Sequence, residues 1–479
     1  MNILIRILSL IMSFVMTFAG YPLSFLESNT DETFDIKKGQ FSLESIFLNG
    51  SENSVSVSGY DSFDGQMTVS NKAVIEFEEN DCGYFNYYAV AYSSDAYLKG
   101  VITYFNGKNT VSEDFFLEPS EDGEFFSFID GILDKKKANE IISVSFEPLD
   151  KEIARISVSG VATFNRKIPD REVFIDNGRV RIGVDLLWGG ALSYFEDLDS
   201  DVEAVRVDGR VKVDSDASER YGKRAFSKNV NLINRFDPGR LVQQSYYGTN
   251  GSSGDGYVQG EFMGNLWNYN PVQGGNQFGE SSKIVDLRVT DNVLYVKCRP
   301  LDWALPKENI TPSYMEATYT LNGILINAEC RFVDYSGYTP YYTSQEIPAF
   351  YCIEPLNRFV YYGGENPWSD ETLTVEPDLI FWPDAGYPKF ESPENWSAFI
   401  GEFDDSFGIG VYVPDETTFL AGVFDRGGVL EKDPSKGGPT SYIAVIKFRT
   451  FESYAPYSYQ FSLASGNTAE IRDAFSEID

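Results

Sequence analysis

Apolar and polar residues alternate along most of this chain with a period of two, the spacing of a half-buried strand. The alternation runs through 54–59 (SVSVSG), 66–78 (QMTVSNKAVIEFE), 84–93 (YFNYYAVAYS), 98–105 (LKGVITYF), 113–119 (EDFFLEP) and 141–148 (IISVSFEP). Turn-forming clusters separate these runs, so 41–166 reads as an antiparallel sandwich of short strands. Within it, 130–140 hints at a helical turn, and 167–170 (Lys-Ile-Pro-Asp) reads as a short hinge. From 170 to 479 longer alternating runs follow at 180–195, 282–303, 316–335, 347–353, 397–414, 419–425, 442–448 and 457–466. Runs of that length predict two large packed sheets. A helix is expected at 468–475, with Asn467 as its cap and Glu470 near the third position. The fold class predicted is all-β, antiparallel, in two units.

Composition supports strands: 30 Tyr and 37 Phe stand beside 6 Met, and ring side chains suit a pleated surface. Residues 1–20 read as a secretory signal peptide. Arg6 supplies the positive end, 7–18 the apolar stretch, and Thr17-Phe18-Ala19 a small-residue cleavage site. The mature chain is therefore expected to be secreted or periplasmic, cleaved near 19–20. No later apolar run is long enough to span a bilayer.

A formal charge of −33, from 72 acidic and 39 basic residues, argues against nucleic acid and anionic membrane surfaces as partners. It also disfavours polyanionic substrates. The chain contains no histidine, which removes Ser-His-Asp and Cys-His catalysis and His-ligated metals. Acid–base chemistry must come from Asp, Glu, Tyr or Lys. The widely spaced Cys82, Cys298, Cys330 and Cys352 form no CxxC, so zinc has no support. They read as buried thiols, with a Cys330–Cys352 bridge as the alternative. No cofactor is expected. A structural calcium is left open by Asp197, Asp199 and Asp201 in EDLDSD, which lacks the glycine and distal Glu of a calcium loop.

Chemistry-bearing residues concentrate at 231–277. Asp237, Arg240, Gln243, Gln244, Tyr246, Tyr247, Glu261, Trp267, Tyr269 and Gln273 fall there, punctuated by Pro238-Gly239 and Gly274-Gly275. Rings that stack on sugar C–H faces, beside amides, carboxylates and guanidinium groups that bond hydroxyls, are what a carbohydrate site uses. The alternative is a set of polar turns with half-buried rings.

Two resemblances follow from residue order. Strands closing on Ile75-Glu76-Phe77, the aromatic run from Tyr84 to Tyr92, Phe115-Phe116-Leu117, 142–146 and 154–158 resemble the galactose-binding-like jelly-roll sandwiches, which implies a glycan-binding or accessory module. Residues 170–479 resemble the galactose mutarotase-like supersandwich of aldose epimerases and of domains in glycoside hydrolases and polysaccharide lyases. The residues that carry this are Gly189-Gly190-Ala191 with Ser193-Tyr194, then Asn231, Asn234 and Asp237 to Arg240. Pro271 to Gly275, the strand pair around Tyr319 to Gly323 and 327–333, and Thr339-Pro340 complete the order.

Aldose epimerases pair a histidine acid with a glutamate base. In the resemblance, Glu346 occupies the acid position, and Tyr442-Ile443-Ala444-Val445, with no carboxylate, stands where the base would lie. Mutarotase activity is therefore not expected. Glycosidic hydrolysis needs two carboxyl groups and no histidine. Asp237 (with Arg235 and Arg240 nearby in sequence), Glu346 beside an Ile-Pro-Ala-Phe run, Glu261, and Glu365 before Asn366-Pro367-Trp368 are the candidates. Arg240, Gln243, Gln244, Tyr246, Tyr247, Trp267, Tyr269, Gln273 and Trp368 are the expected substrate-binding residues, with Trp382 and Trp396 as further ring platforms. The expected function is an exported glycoside hydrolase acting on a poly- or oligosaccharide. The alternatives are a lyase using Tyr246 or Tyr247 with Arg240, or a protein that only binds glycans.

Overall fold

A computed structural model describes residues 45–48, 51–63, 66–129, 138–167, 169, 171–208, 210–377, 379–381, 388–403, 405–424 and 439–479. The signal segment at 1–20, most of the 130–140 turn, hinge residues 168 and 170, and Trp382 lie outside them.

The strands from Ser45–Leu48 to Ala154–Phe164 pair in one continuous 11-stranded array. The hairpin of Ser45–Leu48 with Ser51–Ser58 joins two arms of it. Apolar positions of both arms meet in one core: Val90, Ile156 and Val158 from one, Ile75, Ile102, Val144 and Phe146 from the other. Leu98–Phe105 shows why, with buried and half-buried residues strictly alternating along it. The run at 66–78 is two strands rather than one. Gln66–Val69 pairs with Ala154–Phe164, Ala73–Phe77 pairs with Glu140–Pro148, and the polar Ser70-Asn71-Lys72 carries the chain between the arms.

After Phe164 two hairpins stand apart, Glu203–Val207 with Arg210–Asp214 and Gly260–Phe262 with Asn265–Trp267, and most strands belong to two facing sheets. One orders Glu172–Asp176, Val180–Asp185, Ala191–Asp197, Val242–Ser245, Thr343–Ile353, Thr440–Arg449, Thr418–Phe424 and Ile380–Phe381. The other runs from Lys283–Val289 through Val293–Arg299, Ser313–Asn322, Leu325–Asp334, Tyr457–Gly466, Gly408–Tyr412, Trp396–Gly401 and Leu356–Tyr361 to Thr374–Glu376. Val184, Leu192, Val242, Phe350 and Ile443 of the first sheet and Val296, Ala317, Ile326, Phe399 and Leu463 of the second form the core between them.

The run at 180–195 also breaks. Asp185 accepts a bond from Leu187 N at 2.9 Å and caps a 3-10 turn at Leu186–Trp188. Gly189 and Gly190 then take left-handed backbone at φ 56° and 66°. A Cβ on Gly189 would sit 1.9 Å from the Gln273 carbonyl oxygen, so glycine is required there for both space and conformation.

The N-terminal strands pack on the second sheet. Glu113, Asp114 and Glu118 meet Lys283, Arg299 and Arg331 at 2.5, 2.8 and 2.5 Å, around a stack of Phe116 on Tyr335 at 5.0 Å. The helix forms at Thr468–Ser476, with the expected Asn467–Glu470 capping box. All four cysteines are free, and Cys298, Cys330 and Cys352 are buried. Among the described residues no helix is long and apolar enough to cross a membrane.

Candidate functional site

The Thr343–Ile353 strand lies between Val242–Ser245 and Thr440–Arg449. Ile347, Phe350 and Cys352 point into the core. On the opposite face Ala349, Tyr442, Ala444 and Ile446 form a separate cluster, with Tyr351 packed against it. Both neighbouring registers shift between Glu346 and Ala349, so that Glu346 stands opposite Ile446 and Ala349 opposite Ala444. Such a bulge re-aims side chains. Here it puts Glu346 on the outward face together with a residue three positions on.

Glu346 is half-buried there. The Tyr247 hydroxyl donates to its Oε1 at 3.4 Å, and the Tyr442 hydroxyl bonds the same carboxyl group. Burial pushes the carboxyl up to about 7, against the opposing effect of the two hydroxyls. Tyr247 and Tyr442 are held well above the usual phenol range, by burial first and then by the Glu346 charge. Tyr351 packs on Tyr442 with ring centroids 4.3 Å apart. Burial raises the Tyr351 hydroxyl too; Glu346 and Asp237 add to the rise and Arg240 opposes it. These groups are therefore one electrostatic cluster.

Asp237 shapes the turn before Val242–Ser245. Its Oδ1 accepts from Gly239 N at 3.0 Å, and its Oδ2 lies 3.3 Å from Arg240 Nε. Arg235 is not its partner. With left-handed backbone at φ 47°, Arg235 instead reaches Glu172 at 2.5 Å and Asp185 at 3.9 Å. A Cβ on Gly239 would meet Trp303 at 2.6 Å, so the indole lies against this turn. From there rings touch in sequence: Trp303 to Phe262 at 5.5 Å, Phe262 to Trp267 at 5.1 Å, and Trp267 to Tyr247 at 6.0 Å. An arc of aromatic side chains thus leads from the Asp237 turn to the hydroxyl that holds Glu346.

The other expected site residues sit elsewhere. Glu261 lies on the Gly260–Phe262 and Asn265–Trp267 hairpin but pairs with Leu266. Strand alternation turns that exposed pair away from the face carrying Phe262 and Trp267. Gln243 is a clamp: its Nε2 donates to the Pro238 and Gly239 carbonyls, and its Oε1 accepts from Gly274 N at 2.8 Å. Gln244 bonds the Glu316 carbonyl and accepts from the Tyr246 hydroxyl, while the Tyr246 ring lies in the core against Phe332 at 4.3 Å. Buried Tyr269 donates to Asp334 at 2.9 Å, and buried Gln273 accepts from Gln244 N. Gln243, Gln244, Tyr246 and Tyr269 spend their polar capacity inside the protein, whereas the Gln273 Nε2 is buried without a hydrogen-bond partner.

Glu365 and Trp368 follow Leu356–Tyr361 in the other sheet. Trp368 is tied to Glu394 and Asp479, not to Glu346. Trp396 is core, with its indole N–H on Glu394. Asp197 turns inward to Arg179 and accepts from Ser465, while Asp199 stays exposed. Among the described residues no three acidic or cysteine side chains gather as a metal site. Conversely, Tyr351, Tyr442, Phe262 and Trp303 join the site without having been picked out for it. Tyr442 carried a signal, because it stands where the resemblance puts the epimerase base.

No protein-family model matches this chain, and no curated protein matches it either. Solved structures similar to it include a galactose mutarotase-like protein from Lactobacillus casei, at 9% identity and TM-score 0.34, covering 61% of this chain and 99% of that one. A GH36 alpha-galactosidase from Geobacillus stearothermophilus is similar at 10% identity and TM-score 0.33, over 62% of this chain and 40% of that one. An alpha-mannosidase from Enterococcus faecalis is similar at 8% identity and TM-score 0.32, over 88% of this chain and 44% of that one. These neighbours include the galactose mutarotase-like group that the residue order resembles. At such identities they bring no activity to this chain.

Proposed function

We propose that this chain is an exported glycoside hydrolase acting on an uncharged poly- or oligosaccharide, with Glu346 as general acid and Asp237 as the second carboxylate. The observation that carries this reading is the Glu346 carboxyl, pushed up to about 7 on an outward sheet face between Tyr247 and Tyr442. A carboxyl still protonated near neutral pH is what protonation of a leaving glycosidic oxygen requires. Asp237, beside Arg240 and sharing Tyr351 with Glu346, would act on the anomeric carbon directly or through a water. The arc from Trp303 to Tyr247 supplies ring faces for sugar C–H groups. A net charge of −33 favours uncharged substrates over uronates.

One observation favours a second reading, in which the site only holds glycans: both Asp237 oxygens already have partners within their own turn. The lyase reading loses support, since Tyr246 lies in the core and the Tyr247 hydroxyl holds its proton tightly.

The test is a panel of neutral polysaccharides in which reducing ends and unsaturated products are read separately. Hydrolysis releases reducing ends without unsaturation, and Glu346→Gln and Asp237→Asn each lower the rate by about 100-fold or more. Full activity in both variants defeats this assignment. Unsaturated products would point to a lyase, and binding without turnover to a glycan-binding protein.

A further inference from the structure

The outward face that carries Glu346 continues along the same two strands to a second pair of rings. Opposite residues in an antiparallel pair share a face. Glu346 stands opposite Ile446, and two residues further along Ser344 stands opposite Phe448. Phe448 is 53% exposed and Tyr342 65% exposed, which is unusual for rings of this size. They are not splayed into solvent independently. Their centroids lie 6.1 Å apart at an interplanar angle of 32°, and the Lys389 ammonium lies 5.5 Å from the Phe448 centroid.

In the other direction the face passes the small Ala349–Ala444 pair and reaches the Tyr351–Tyr442 pair. At about 3.3 Å per residue, Tyr442 and Phe448 are roughly 20 Å apart along their strand, with the Glu346 register position between them. The exposed Tyr342–Phe448 pair at one end and half-buried Tyr351 at the other, with the half-buried Glu346 carboxyl between them over buried Ala349, Ala444, Ile446 and Tyr442, form a line too long for one sugar.

The geometry points to Tyr342 and Phe448 as a second stacking platform, so that the ligand is a linear, uncharged glycan with sugar units on both sides of Glu346. This rests on the carbohydrate reading of the Glu346 site and specifies its substrate class. A chain running over Tyr342–Phe448, past Glu346 and towards Tyr351 would be cut internally rather than trimmed one unit at a time.

The test uses the full chain carrying Glu346→Gln, so that no polymer is cut during measurement, with Phe448→Ala, Tyr342→Ala or Trp267→Ala added. Affinity electrophoresis in gels containing galactomannan, arabinoxylan or soluble starch gives polymer affinities. Calorimetric titration with the trisaccharide of the polymer that retards the protein most gives the short-ligand value. The expected result is a loss of about tenfold in polymer affinity for Phe448→Ala and for Tyr342→Ala, with trisaccharide affinity unchanged. Trp267→Ala weakens both. If Phe448→Ala and Tyr342→Ala bind polymer as tightly as their parent while Trp267→Ala does not, the second platform is overturned and the Glu346 site stands. If no polymer retards the parent protein, the carbohydrate reading itself fails and the platform with it.

Discussion

Replacing Glu346 by glutamine should change how stability depends on pH, by an amount that follows from its surroundings. The carboxyl moves from its ordinary 4.5 to about 7 on folding, with burial as the main cause. Below about pH 4.5 it is protonated in folded and unfolded chains alike and adds no pH dependence. Between there and about pH 7 the folded chain keeps a proton that the unfolded chain has released, so stability falls as pH rises. Above about pH 7 both states are ionised and the full cost of a half-buried charge is present. At about 1.4 kcal/mol per pH unit this window amounts to roughly 3 kcal/mol, a ceiling because the group is partly open to solvent. Glutamine imitates the neutral form. Glu346→Gln should therefore match wild type near pH 4 and exceed it by up to about 3 kcal/mol near pH 8. Asp302, which burial pushes up to about 6, and Asp334, also raised by burial, titrate in both proteins and cancel in the difference. Urea unfolding of the two proteins at several pH values measures it. Parallel stability curves from about pH 4 to about pH 8 would refute the claim that Glu346 is protonated near neutrality.

Two further predictions concern the scaffold. Gly189→Ala should cost about 2 kcal/mol or more, because the new Cβ meets the Gln273 carbonyl at 1.9 Å in left-handed backbone; an unchanged thermal midpoint would contradict this. Arg472→Met should cost about 3 kcal/mol by leaving the fully buried Glu394 without its cation. Adding Glu394→Gln should restore most of that loss in denaturant unfolding, and no recovery would show that the pair contributes through packing alone.

The all-β architecture was legible because period-two alternation marks strands such as Ala73–Phe77 and Leu98–Phe105, even though others such as Gly408–Tyr412 are buried throughout. The final helix was legible because Asn467 and Glu470 stand at capping spacing. Strand boundaries were less so. Ser70 to Lys72 is too short a polar break to show that 66–78 serves two arms, and only pairing reveals it. In the site, Asp237, Arg240, Tyr247, Trp267 and Glu346 were identifiable as residue types suited to sugars. Gln243 and Gln244 were equally suitable by type. A planar amide that clamps a turn and one that binds a hydroxyl look the same until register shows where the amide points. Tyr351 was hidden for a related reason: the bulge between Glu346 and Ala349 decides which ring shares a face with the carboxyl, and no local pattern announces it. Tyr442 was marked only by its place in the resemblance. Glu261 failed by one residue of alternation, since its neighbour Phe262 faces the site side of the hairpin.

The most direct test of the central claim is the pH dependence of reducing-end release, using whichever neutral polysaccharide of the panel is hydrolysed. With Glu346 as the acid, kcat/KM should hold through mildly acidic pH and fall tenfold per unit above about pH 7. The same measurement on Glu346→Gln should give a residual rate without that limb. An undiminished wild-type rate up to about pH 9, or an unchanged alkaline limb in Glu346→Gln, would contradict the assignment of Glu346 as the proton donor.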